Sequence, residues 1–342
     1  MNSVAPGPVA FHPPAAQRQA YMVLSPHSLS YATLALRSLL ARSAEPLNLH
    51  LITDSAADRQ TLSSVVEELE PSARHAWSVT AEDELADAEA ATFARYPSLR
   101  AFRHGHPCWR KITDPVLLSA TGEELLVLDP DLYFPNQFCF EPTPASGLLL
   151  MWQRPNCLLP SPVVRTALAA NIALARHVDI GVAHWRLSTD LAELEWIDWL
   201  IGKLGGRSLP RVMHVEAIVW AAIALRFGRD NGGNGYLDPQ LWRCWHRTQG
   251  NRLRRKLGAS GRSILAAEPW PQIKCFHAGG EAKWWLPDMV AAGEIPEGAD
   301  LRAAGRILPF VELTSARYEH EQTAKTILGG LGYYRLFGPQ RS

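Results

Sequence analysis

The sequence predicts an α/β protein with a mainly parallel central sheet. Two observations carry this. The run Leu125-Leu126-Val127-Leu128 is continuously apolar and leads straight into Asp129-Pro130-Asp131. That is the pattern of a strand buried on both faces whose carboxyl end opens onto a site, where ligands of open α/β sheets bind. Second, strand and helix patterns alternate from the first element onward, as crossover connections between parallel strands require.

The elements follow in order. Tyr21-Met22-Val23-Leu24 reads as the first strand. Leu29 to Arg42 carries apolar residues at Leu29, Ala32, Leu36, Leu39 and Leu40, a helical stripe. After Pro46, Leu47 to Thr53 reads as a strand that Asp54 ends. Asp58 to Glu70 is expected to be a second helix, and Thr80 to Ala91 an acidic, alanine-rich helical face in solvent. Arg103-His104-Gly105-His106-Pro107 has loop composition; its histidines either touch a ligand or are solvated. Gly147 to Trp152 is a short strand, Pro162 to Arg176 a helix and Val178 to Arg186 a strand. Leu191 to Leu204 and Arg211 to Phe227 read as helices, the second apolar nearly all round and hence buried. Asp230 to Asp238 is a Gly- and Asn-rich loop whose spacing matches no phosphate-binding fingerprint. Ile273 to Phe276 is a further short strand, and Tyr318 to Phe337 an amphipathic helix that docks on the domain or on a partner. The expected division is a flexible leader over 1–20, one catalytic-type domain over 21–295 and a C-terminal helical extension over 296–342.

Composition excludes several classes. The 342 residues are 47% hydrophobic and 20% charged, ordinary for a protein with a sizeable core. A formal net charge of zero argues against a nucleic-acid binder. The five cysteines, Cys108, Cys139, Cys157, Cys244 and Cys275, show no paired spacing, which points to reduced thiols in the cytoplasm and away from zinc. The first twenty residues lack the basic start and apolar stretch of a secretory signal, and no run of eighteen apolar residues marks a membrane span. Arg252-Leu253-Arg254-Arg255-Lys256 is either a solvated basic loop or a patch for an anionic acceptor or a peripheral membrane contact.

The chemistry centres on two segments. Asp129 and Asp131, two positions apart, can aim at one point and hold Mn²⁺ or Mg²⁺; the bland reading is a surface turn. Far downstream, His277-Ala278-Gly279-Gly280-Glu281-Ala282-Lys283-Trp284-Trp285 offers a metal ligand, a glycine and a lysine at three-residue intervals. These are the parts of a diphosphate clamp, or of a glycine turn with a satisfied histidine and packed tryptophans. Glu216 lies on the apolar helix, where an unpartnered carboxylate is costly; it either has a structural cationic partner or lines a sugar site. Trp242, Trp245, Trp270, Trp284 and Trp285 crowd the last third, as core fillers or as a platform for an acceptor sugar.

Asp129-x-Asp131 together with His277-x-x-Gly280-x-x-Lys283-x-Trp285 resembles the glycogenin and bacterial lipopolysaccharide galactosyltransferase family, the retaining family 8 glycosyltransferases of GT-A fold. The similarity runs from about Tyr21 to Trp285. Lys111 to Leu118 sits where that family has an arginine-led helix. Asp179-Ile180-Gly181-Val182 resembles its Asn-x-Gly strand, and Glu216 falls near its Asp-Gln helix start. The chain departs from the family in placing Ser25-Pro26-His27 after the first strand, where an acidic residue usually reads the base, with Tyr31 further on. It also has Asp179 for Asn, Lys111 for Arg, and Lys283-Trp284-Trp285 for Lys-Pro-Trp.

The resemblance implies a metal-dependent transferase using a nucleotide-diphosphate sugar, of which a UDP-sugar is the first expectation. Asp129, Asp131 and His277 would hold the cation. Lys283, the backbone near Gly280 and Lys111 would meet the diphosphate. Asp179, Gly181 and Glu216 would face the donor sugar or a carbohydrate, lipid-linked or protein acceptor. Retention is implied by the resemblance alone. Two other classes stay open from sequence: a nucleotidyltransferase or nucleotide-sugar hydrolase with the same clamp, and a non-catalytic glycan binder on a decayed transferase fold.

Overall fold

The computed structural model describes residues 17–145, 147–154, 158–228, 233–245, 254 and 257–333. Its strands are β1 (Arg18–Val23), β2 (Leu47–Thr53), β3 (Ala76–Ala81), β4 (Glu124–Leu128), β5 (Leu132–Tyr133), β6 (Gln137–Phe138), β7 (Gly147–Trp152), β8 (Val178–Arg186), β9 (Gly235–Leu237), β10 (Trp242–Cys244), β11 (Cys275–His277), β12 (Asp300–Leu301) and β13 (Ile307–Leu308). The helices are α1 (Leu29–Arg42), α2 (Ala56–Glu68), α3 (Ala86–Thr92), α4 (Pro97–Arg103), α5 (Arg110–Leu118), α6 (Ser161–Ala169), α7 (Glu193–Leu204), α8 (Val215–Phe227), α9 (Gly261–Ala266), α10 (Ala282–Ala291) and α11 (Ser315–Gly330).

Eight strands form the central sheet in the order β13-β9-β7-β8-β4-β1-β2-β3. The block β4-β1-β2-β3 is parallel throughout, β7 and β9 pair in parallel, and β8 and β13 run against their neighbours. The α/β class and the mainly parallel sheet therefore hold. Side chains of β4 alternate between two apolar layers. Leu125 and Val127 pack with Tyr21, Trp185 and α8, whereas Leu126 and Leu128 pack with Met22, Leu49 and α1. Burial on both faces explains the unbroken apolar run. Truncating Leu126, fully buried, to Ala would cost about 2–5 kcal/mol. A third cluster, with Tyr133, Trp270, Phe276 and Leu286, joins β5 and β11 to α9 and α10.

Several boundaries differ from expectation. β1 begins at Arg18, so Arg18 to Ala20 belong to a central strand and not to a leader; Arg18 is tied there by Glu124 and by Glu45 at 3.2 Å. β3 replaces the start of the acidic helical face, and α3 begins only at Ala86. The helix expected over Pro162 to Arg176 stops at Ala169, with Asn171 at φ 56° just beyond it, the left-handed turn that ends a helix. Arg103 closes α4 and does not lie in a loop. The segment after 295 is not helical alone. β12 and β13 precede α11, and β13 completes one edge of the central sheet. No helix of the described residues is long and apolar enough to cross a membrane. The stretch Asp230 to Asp238, expected to be a loop, contains β9. The Arg252 to Lys256 run apart from Arg254, residues 229–232, Cys157 and the chain beyond Tyr333 lie outside the described residues.

Candidate metal and diphosphate site

The site lies at the carboxyl end of β4. Strand β8 pairs antiparallel with β4 up to Leu128 opposite Val182, and the Asp129 N–H then donates to the Gly181 carbonyl at 2.9 Å. Between β7 and β8 the register jumps, Leu150 facing Ala183 but Met151 facing Asp179. Ile180 to Val182 are thus left out of that ladder, an irregularity of the kind that re-aims side chains beside functional sites. It turns Asp179 and Gly181 toward the end of β4. The second sheet delivers the histidine: β11 pairs antiparallel with β5, placing His277 opposite Leu132, next to Asp131. The Ala278 N–H donates to the Asp131 carbonyl at 2.9 Å and locks this register.

One ligand atom each from Asp129, Asp131 and His277 lies within 4.8 Å of the others. His277 Nε2 is 3.1 Å from Asp131 Oδ1 and 3.7 Å from Asp129 Oδ2. On the other side of the ring, Nδ1 is 2.7 Å from Asp179 Oδ1. The same oxygen accepts from the Gly181 N–H at 2.8 Å. Gly181 is required there, since a Cβ on it would stand 2.7 Å from His277 Nδ1.

Two lysines complete the charge pattern. Lys111, in the first turn of α5, pairs with Asp129 Oδ1 and with Glu216 Oε2 at 3.2 Å. Glu216 Oε1 accepts from Trp220 Nε1, one turn along α8, at 3.2 Å. Glu216 therefore has the cationic partner its burial demands, and that partner is Lys111. Lys283 Nζ is 3.8 Å from Asp131 Oδ2 and lies 4.6 Å from the Tyr31 ring centroid. Trp284, half exposed, meets Tyr31 edge-on at 5.2 Å. Gly280 sits between β11 and α10 at φ 72°, a conformation that favours glycine.

The electrostatics follow from burial and partners. Burial works against charge on His277, but the Asp179 and Asp131 carboxylates overcome it and hold its pKa well above the ordinary value. Burial raises Asp131, yet His277 and Lys283 outweigh this and bring it to about 2. Burial raises Asp129 beyond what Lys111 offsets. It pushes Glu216 up to about 7 against the pull of Lys111, while Lys111 itself is held well above its usual value by Asp129 and Glu216 despite burial. Asp179 is lowered, because His277 outweighs the burial that would raise it.

The structure thus brings Asp129, Asp131, Asp179, Gly181, His277, Lys111, Glu216 and Lys283 into one connected group. His104 is not part of it, being bound to Glu82 and Glu89, and His106 accepts from the Cys108 N–H. Trp242, Trp245 and Trp270 are buried fillers. In sequence Tyr31 simply follows the first strand; no spacing connects it to Lys283, and only the fold does. The oxygen, oxygen and imidazole donors suit Mn²⁺ or Mg²⁺, and the Nδ1 contact to Asp179 leaves Nε2 facing both carboxylates, as a ligand must.

Fold and site together define an α/β protein with an Asp-Asp-His cluster and a lysine at the carboxyl edge of its parallel strands. No protein-family model matches the chain, and no curated protein matches it. Among solved structures it is similar to apo mouse xyloside xylosyltransferase 1, with a TM-score of 0.47 and 14% identity over 78% of this chain and 98% of that one. It is also similar to the galactosyltransferase LgtC in complex with donor and acceptor sugar analogues, with a TM-score of 0.46 and 12% identity over 81% and 92%. The glycosyltransferase GlyE of Streptococcus pneumoniae superposes with a TM-score of 0.43 and 12% identity over 95% and 66%.

Proposed function

We propose that the protein is a metal-dependent glycosyltransferase of GT-A architecture. It moves a hexose from a nucleotide-diphosphate sugar, a UDP-sugar first, to a glycan, lipid-linked or protein acceptor. The observation that carries this is the convergence of Asp129, Asp131 and His277 within 4.8 Å, with Lys283 beside Asp131. The donor set and the sequence resemblance support the same reading.

Asp129 Oδ2, Asp131 and His277 Nε2 would hold Mn²⁺ or Mg²⁺. A cation there supplies Lewis-acid stabilisation of the charge that develops on the departing diphosphate. Lys283 adds a fixed positive charge on the same side, and the backbone at Gly280 can approach phosphate oxygens without a side chain in the way. Lys111 keeps Asp129 and Glu216 together in a buried setting where their like charges would otherwise repel. Glu216 is 1% exposed, with one oxygen on Trp220 and the other on Lys111, so its part in this reading is to hold Lys111 in place beside Asp129. Retention rests on the sequence resemblance. The same reading has the protein in the cytoplasm, in keeping with the free thiols of Cys108, Cys139 and Cys275, with any membrane contact peripheral.

Thermal melting against a panel of nucleotide sugars, with and without Mn²⁺, tests the donor, because a ligand that binds only the folded state raises its melting temperature. The expected result is a rise with one UDP-sugar that EDTA removes. Equal UDP affinity in Mn²⁺ and in EDTA would falsify the metal clamp. Proton NMR of the product from an α-linked donor tests retention: an α-linked product is expected, and a β-linked one sinks it.

A further inference from the structure

The carboxylates around His277 occupy different sides of its ring. Asp129 and Asp131 face Nε2, whereas Asp179 faces Nδ1 alone. Asp179 is 2% exposed, and its Oδ1 already accepts from both His277 and the Gly181 N–H. Such an oxygen is committed to holding a neighbour and is poorly placed to reach a sugar. The backbone around it is shaped for this contact, through the register jump of β8 and the missing Cβ of Gly181.

We propose that Asp179 is a positioning residue of the cation site. It fixes His277 in the tautomer and ring orientation that aim Nε2 at the cation, and its negative charge makes that nitrogen a stronger donor. The inference rests on the metal reading above. A histidine that gives its Nδ1 proton to a carboxylate keeps the Nε2 lone pair for a metal, and such outer partners tune affinity almost as ligands do. The charge is the distinguishing feature. The resembled family carries an asparagine at this point, which could accept the same hydrogen bond without adding a negative charge behind the imidazole. This chain has the carboxylate, with Oδ1 2.7 Å from His277 Nδ1.

Mn²⁺ titration followed by electron paramagnetic resonance, with no donor or acceptor present, tests the idea on the full chain. Asp179→Asn should bind Mn²⁺ about 10–100-fold more weakly than wild type. In a His277→Ala background the same substitution should cause no additional loss, because Asp179 acts through that ring. Gly181→Ala, which crowds the ring while keeping Asp179, should also weaken Mn²⁺ and serves if the asparagine variant does not fold. Melting in EDTA reports folding; Asp179→Asn should melt within a few degrees of wild type. Wild-type Mn²⁺ affinity in Asp179→Asn and Gly181→Ala overturns the proposal, as does a loss that persists undiminished without His277. If Asp131→Asn abolishes Mn²⁺ binding while Asp179→Asn leaves it intact, only the positioning role fails. If the wild type binds no Mn²⁺, the metal reading fails and takes this inference with it.

Discussion

Two buried charge networks share helix α5 and behave in opposite ways. On one side Asp114 receives Arg103 Nε at 2.8 Å and the Thr113 hydroxyl at 2.9 Å, while Arg103 also binds Glu89 and the Glu82 carbonyl. Here each carboxylate has a cation against it, and the arginine is nearly sealed from solvent. On the other side, Asp129, Asp131 and Asp179 crowd a single imidazole. Lys111 divides itself between Asp129 and Glu216, and Lys283 stands at a long 3.8 Å. A network that only stabilises the fold alternates its signs until each is matched. One that gathers like charges around a ligand-type nitrogen is arranged for a further cation.

The largest effect expected on folding comes from the matched network. Arg103→Met leaves Asp114 without its guanidinium, while Glu89 keeps Arg100 at 2.8 Å, and breaking a buried pair this way costs about 3–5 kcal/mol. Urea denaturation should show that loss, with Mn²⁺ affinity per folded molecule unchanged. A variant as stable as wild type would erase the contrast between the two networks.

Asp131→Asn should do the reverse. It removes a direct ligand, so Mn²⁺ affinity should fall by more than the about 100-fold upper range for an outer partner. Stability in EDTA should fall modestly, because His277 and Lys283 stabilise the Asp131 carboxylate in the folded chain, but by less than for Arg103→Met. Calorimetry and melting on the same sample measure both. A large loss of stability without a loss of Mn²⁺ would make this cluster structural after all.

Lys283→Ala sharpens the picture further. Its ammonium is not committed to a short ion pair, so the melting temperature should hold while turnover falls about 10–100-fold, roughly 1.4–2.7 kcal/mol of transition-state stabilisation. Full activity in the variant would remove Lys283 from the clamp.

The smallest effect concerns His184, outside both networks. Burial, aided by the nearby Arg18, lowers its pKa to about 3 from an unfolded value of 6.5. The unfolded chain therefore takes up the proton first as the pH drops. Stability tied to neutral His184 is present above pH 6.5 and is lost as the pH falls from there toward 3. His184→Gln should flatten the melting-temperature profile between pH 7 and 5. An unchanged slope would mean other groups govern acid sensitivity.

What the sequence disclosed follows from where the information is local. β4 reads clearly because its side chains are apolar without a break from Leu125 to Leu128. β3 is hard to read because none of its residues before Ala81 is fully buried, leaving a weak period-two signal just ahead of the acidic run Glu82-Asp83-Glu84. β12 and β13 are two residues each, too short for any periodicity. Asp129, Asp131, His277 and Lys283 were visible as chemistry at regular spacing. The Lys111 to Glu216 pair and the Tyr31 to Lys283 contact were not, because they join separate elements through the tertiary fold. Asp179 was noticed on the strand, but its side of the imidazole ring is set by a register jump that no residue pattern announces.

Strand β13 has a consequence for the order in which the protein is made. β9 offers its outer edge until Ile307 and Leu308 come to pair with Leu237 and Tyr236. During synthesis from the amino terminus, a ribosome that has already released Asp129, Asp131 and His277 still holds a chain whose sheet has an open flank. An open flank of that kind invites pairing with other nascent chains. Production of a chain stopped at residue 295 should therefore yield aggregates rather than a smaller folded protein, even though Asp129, Asp131 and His277 all lie upstream of the cut.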